Sequence, residues 1–142
     1  MTDEERRAIE ADCERLIKRY VNLNDAQDWP AVAALYTENA VFRRPSGGDA
    51  IVGREAILVS LLARPPRVQR HVIANVVVDV EDEDHARAFS VIVLYQGDPA
   101  PGGELPALSA NSPLVGWFRD KLVRTPEGWR FAERVGGLDF AP

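Results

Sequence analysis

Proton transfer near neutral pH is the natural work of an imidazole, and the chain has two, His71 and His85. His85 falls in the acidic turn "EDEDH", a solvated position. His71 opens "RHVIANVVVDVEDEDHARAFSVIVLYQ", residues 70 to 96, where the chain enters a long run of β-branched and apolar residues. Strict alternation along a strand puts His71, Ile73, Asn75, Val77 and Asp79 on one face, and Val72, Ala74, Val76, Val78 and Val80 on the other. If the first face is the concave one, His71 and Asn75 point into an apolar-walled cavity. The plainer reading is a histidine at a strand end, satisfied by a carbonyl. Tyr20 sits on an apolar helical stripe, so its hydroxyl enters the interior, either for chemistry or simply packed with one partner. Asp25 stands where it could work with these groups or merely cap the next helix. Two separated histidines without a dense carboxylate cluster do not make a metal-ligand set. Nor does the chain hold a phosphate-binding glycine loop or a nucleophile elbow. The single cysteine, Cys13, lies mid-helix on the packed stripe, where packing is its expected role.

The elements that must position these residues follow from periodicity. Thr2 and Glu5 form a capping-box pattern, and Ile9, Cys13, Leu16, Ile17, Tyr20 and Val21 recur at intervals of three and four. The helical pattern fades at "NLNDAQDWP", and Pro30 suits the first turn of a second helix through "AVAALY". A short strand is expected at Ala40 to Arg44, followed by a turn on Pro45, Gly47 and Gly48. A third helix, "REAILVSLLA", starts after Gly53 and must end before Pro65 and Pro66. From Arg70 the pattern turns to strands: a long hairpin about "EDEDH", the loop 97–113, and a second hairpin joined at Thr125 to Glu127. Helices first and antiparallel strands after predict an α+β domain with helices on one face of the sheet. Because residues 72–80 are apolar on both parities, a second copy is expected to cover the other face, making a homodimer.

Composition bounds the function. The 142 residues, 46% hydrophobic and 27% charged, fit one globular domain spanning 1–142. A formal net charge of −5 gives no basic surface for nucleic acid. No apolar stretch approaches the roughly twenty residues of a membrane span, so no membrane partner is expected. The charged start "MTDEERR" is unlike a secretory signal, which points to a cytoplasmic protein.

The segments "RYVNLNDAQDWPAVAALYTENAVF", "IVGREAI", "RHVIANVVVD" and "DKLVRTPEGWRFAERV" resemble the SnoaL-like family of the nuclear-transport-factor-2-like superfamily over nearly the whole chain. That resemblance implies a cone-shaped α+β barrel, with three N-terminal helices packed on a strongly curved, mostly antiparallel sheet. Against the ketosteroid isomerase branch, Tyr20 matches the oxyanion-binding tyrosine. Arg44, however, stands at the place of the proton-shuttling aspartate, and Trp117 lies near the second acid, which disfavours that mechanism. The site pattern is more similar to that of scytalone dehydratase, the bile-acid 7α-dehydratase and hexachlorocyclohexane dehydrochlorinase. From these the resemblance implies a pair of Asp25 with His71, joined by Tyr20, by Arg134 on the last strand and by Asn75. Ser90 stands where scytalone dehydratase has a second histidine.

This set implies a cofactor-independent lyase of the dehydratase kind, or a related isomerase or cyclase, acting on an apolar cyclic small molecule. His71 would be the base, Asp25 its orienting partner, Tyr20 the proton donor, and Arg134 a support for negative charge. Trp29, Phe42, Leu58, Phe89 and Trp117 are candidates for the apolar lining. The alternative is a non-catalytic module that binds a hydrophobic ligand or resembles a dioxygenase small subunit. A hydrolase of the limonene-epoxide kind would need a carboxylate–arginine–carboxylate cluster that the chain does not supply. The His71–Asp25 separation discriminates: hydrogen-bond reach with both groups lining one cavity favours catalysis, and a gap beyond about 6 Å with no bridging water favours the module.

Overall fold

The computed structural model describes residues 1–142. Helix α1 (Asp3–Asp25) begins at the expected capping box: the Thr2 hydroxyl accepts from the Glu5 amide, and the Glu5 carboxylate accepts from the Thr2 amide. It buries the stripe from Ile9 to Val21 and adds Asn24. Helix α2 (Trp29–Ala33) is one short turn with Pro30 at its start and Asp28 as its cap. Strand β1 (Tyr36–Arg43) starts four residues before the expected Ala40, because Thr37, Glu38 and Asn39 masked its alternation. After the two-residue strand β2 (Ile51–Val52) comes α3 (Arg54–Leu62), entered through Gly53 at φ 97°, a backbone that favours glycine. The hairpins are β3 (Val68–Val80) with β4 (His85–Gly97), and β5 (Leu114–Thr125) with β6 (Gly128–Leu138). Only a single 3₁₀ turn, Pro101–Gly103, interrupts the long loop between them.

Six strands make one mixed sheet in the order β2-β1-β6-β5-β4-β3, with β1 parallel to β6 and the other neighbours antiparallel. The sheet does not close: β2 and β3 are its two edges. The three helices cover its inner face, where Tyr20, Tyr36, Phe42, Phe118 and Phe131 pack with the aliphatic core. No helix is long and apolar enough to cross a membrane.

Strand β3 departs from strict alternation. Ala74 pairs with Val91 and Val77 with Phe89, so Asn75 and Val76 stand opposite Ser90 alone. This is a bulge. Asn75 takes φ 51°, a left-handed backbone that asparagine tolerates better than most residues. The phase flips there. His71 and Ile73 face inward before the bulge and Val76, Val78 and Val80 after it, so Asn75, Val77 and Asp79 are exposed.

Candidate active site

Asp25 is the last residue of α1, a helix end where the macrodipole disfavours a negative charge. A carboxylate kept there needs another partner, and β3 supplies it. His71 Nδ1 lies 2.5 Å from Asp25 Oδ1, and the His71 backbone N–H donates to Oδ2 at 2.9 Å. Both side chains are nearly buried, at 11% and 6% exposure. Exposed Arg70 stands 4.0 Å from the same carboxylate. A carboxylate only accepts, so Nδ1 carries the proton and Nε2 is left as the nitrogen free to act. The alternative role of Asp25 as a cap for α2 is filled instead by Asp28, which accepts from the Ala31 amide.

His71 lines a cavity of about 360 Å³ between the helices and the inner face of the sheet. Tyr20, Trp29 and Phe42 line it too, as expected, and Asp25 stands behind His71 rather than on the wall. The Tyr20 hydroxyl meets the Tyr36 hydroxyl at 2.6 Å. Tyr36 is fully buried and its hydroxyl has no other partner, which directs its proton to Tyr20 and frees the Tyr20 proton for the cavity. Burial, and next the neighbouring Tyr20, push the Tyr36 phenol well above its ordinary range, so it stays protonated.

The remaining expected site residues lie elsewhere. Arg134 does not reach the cavity: it is fully buried among the rings of Tyr20, Phe118 and Phe131, with its guanidinium 3.8–4.5 Å from their centres. Its charge faces Asp120 on the neighbouring strand, Nε to Oδ1 at 3.1 Å, an ion-pair contact without an aligned hydrogen bond. Asn75 is turned outward by the bulge. Phe89 and Trp117 are on the outer face of the sheet, where Trp117 packs under Arg119 and against Gly137. Leu58 packs on the core from α3 without touching the cavity. In place of Phe89 and Trp117, Ile92 and Leu94 of β4 and Phe118 of β5 form the apolar wall. Both parities of β4 and β5 are apolar, so alternation alone left the choice of face open. The missed polar lining includes Asn24, Gln27, Gln69 and Gln96, with Arg44, Arg64 and Arg67.

Three helices on the inner face of an open six-stranded mixed sheet make a fold like that of solved structures of the NTF2-like class, and here His71 stands on the wall of the inner cavity with Asp25 behind it. Within that class the chain belongs to the SnoaL-like domain family, which it matches over residues 5–135. No functionally curated protein matches it. Among solved structures it is similar to a candidate scytalone dehydratase from Novosphingobium aromaticivorans, with TM-score 0.83 and 19% identity over 98% of this chain and 89% of that one. It is also similar to a candidate dehydratase of the NTF2-like family from Streptomyces avermitilis, with TM-score 0.79 and 18% identity over 92% and 97% of the two chains. A ketosteroid isomerase-like protein from Erwinia carotovora atroseptica gives TM-score 0.72 and 21% identity over 92% and 96%. At these identities the likeness is one of fold. The neighbours' names fit an enzyme of the lyase or isomerase kind.

Proposed function

We propose that the protein is a cofactor-independent lyase of the dehydratase kind, or an isomerase or cyclase using the same proton transfer, acting on a cyclic small molecule. The observation that carries this reading is the 2.5 Å His71–Asp25 contact at the wall of the cavity. It also favours catalysis over a passive binding module, for which no oriented imidazole is needed. In the elimination, His71 Nε2 takes a proton from the carbon, and the C–H electron pair becomes the new double bond. The leaving hydroxide takes the Tyr20 proton and departs as water. Proton return from the imidazolium to the phenolate through solvent resets the site. Asp25 holds the ring and stabilises the imidazolium as it forms. Incubation with hydroxylated or halogenated cyclic compounds, followed by the absorbance of the new double bond, tests the reaction. No turnover across such a panel would leave the module reading in its place.

Tyr20 and Tyr36 separate by substitution. Tyr20→Phe keeps the ring packed and removes the donor, so kcat is expected to fall about 10²-fold or more. Tyr36→Phe removes only a supporting hydrogen bond of about 1 kcal/mol and should cost about tenfold or less. Wild-type kcat in Tyr20→Phe would take the hydroxyl out of the mechanism.

The outer face carries a second proposal, a homodimer. Val72, Val77, Phe89 and Tyr95 are 38–55% exposed there, with Phe89 directly across from Val77. Such an apolar patch on neighbouring strands suits a second copy. Light scattering should give twice the 15.7 kDa chain mass and a monomer for Phe89→Glu. A monomeric native chain would end the dimer proposal.

A further inference from the structure

The chain is acidic, with 22 Asp and Glu against 17 Lys and Arg, yet no Asp or Glu lines the cavity and three arginines do. The arginines that meet a carboxylate within 4.0 Å are Arg70, Arg87, Arg124 and Arg134. Arg44, Arg64 and Arg67 are not among them. Arg44 reaches in from just past the end of β1 and spends one N–H, on Nη2, to give the Ser60 carbonyl a hydrogen bond of 3.3 Å. Its Nε is buried with no partner. Arg64, just after α3, gives Nη1 to the Asn24 side-chain oxygen at 3.0 Å and lies 5.4 Å over the Trp29 ring. Both acceptors are neutral.

Two part-buried guanidinium groups facing one hollow without a counter-ion are costly, because desolvation is not offset by an opposite charge. Burial lowers the Arg64 pKa from its ordinary value, and the neighbouring Arg44 charge adds to that effect. The arrangement is the reverse of Arg134, whose charge is met by Asp120 inside the protein. Part of the fork of each cavity arginine remains uncommitted, and a planar carboxylate is the group that such forks match in both charge and shape. The remaining wall, with Trp29, Phe42, Ile92 and Phe118, suits a ring system.

We propose that the ligand of this cavity is a cyclic carboxylate, its ring on the apolar wall and its carboxylate held by Arg44 and Arg64. This rests on the reading of the cavity as a ligand site, but not on turnover there. The chemistry at His71 would then act on a ring whose orientation is set by a charged handle.

Matched probes test it. Calorimetric titration with 2-naphthoate and with 2-naphthamide, which has the same rings but no charge, compares the two affinities in native protein and in Arg44→Gln, Arg64→Gln, Arg44→Lys and Arg64→Lys. The native protein should bind the naphthoate on the order of tenfold or more tightly than the amide, and the gap should shrink as salt rises. Each glutamine variant should lose most of that preference, while the lysine variants, which keep the charge, retain part of it. The same preference should survive in His71→Ala, which separates failure of the catalytic reading from failure of this one. No saturable naphthoate binding up to millimolar concentration, an equal affinity for the amide, or a preference that survives both glutamine substitutions overturns the proposal.

Discussion

His71→Ala is expected to lower kcat/KM for elimination about 10²- to 10⁴-fold, the range that a positioned general base contributes. The loss belongs in kcat, because the imidazole is one of many groups that line the cavity and the ligand keeps its other contacts. Asp25→Asn should approach the same loss by a different route. The carboxylate now accepts two N–H groups, from the His71 ring and the His71 backbone. An asparagine has only one oxygen for those two donors, so either the ring loses its orientation or the backbone amide goes unpaired. Thermal melts of both variants should stay cooperative. Equal turnover in native protein and His71→Ala would remove His71 from the mechanism.

Arg134→Met is expected to be the most destabilising single change considered. It leaves Asp120 buried without its counter-charge, a loss of about 3–5 kcal/mol, or a fall in Tm on the order of 10 °C for a chain of this size. The sign of the pH dependence follows from Asp120. Burial pushes its carboxyl up to about 6 from an ordinary 3.8, against the opposing pull of Arg134. The folded state therefore holds the proton more readily than the unfolded one. Stability rises as pH falls from about 6 toward 3.8, and is lost as pH rises through 6. Without Arg134 the carboxyl is pushed higher still, so the Tm deficit of Arg134→Met should be larger well above pH 6 than below it. The double change Asp120→Leu with Arg134→Met should recover most of the deficit, since an apolar pair leaves no orphaned charge. An unchanged Tm in Arg134→Met at neutral pH would show that the pair adds nothing to stability.

The architecture was legible because its signals are local. The capping box at Thr2, the three-and-four stripe of α1, the proline stops after α3 and the acidic turn at 81–85 each sit within a few residues of what they specify. Legibility of the site extended to the pair of Asp25 with His71 only through family resemblance, because the two residues lie far apart in sequence, at the end of α1 and near the start of β3. It failed where it depended on which strand face was inner. The bulge at Asn75 breaks the parity that placed Asn75 inward, and no residue type announces a bulge unambiguously. Phe89 and Trp117 were drawn to the cavity by their aromatic rings, although Ser90 and Phe118 beside them hold the inner positions. Arg134 was placed by resemblance, and only cross-strand register reveals that Asp120 claims its charge. The Tyr36 hydroxyl and the unpaired Arg44 and Arg64 depend on contacts between elements distant in sequence, which periodicity does not report.

The grip of Asp25 on β3 has two strands of unequal fate. One runs to the ring of residue 71 and ends with the loss of histidine; the other runs to the backbone amide of that residue and outlives most replacements there. Chemistry and architecture thus part at a single codon: a descendant that drops the imidazole keeps the helix tied to the strand, the hollow open and its arginines in place. On the mechanism proposed above, the evolutionary road from catalyst to ligand carrier on this scaffold is one step long and needs no rebuilding.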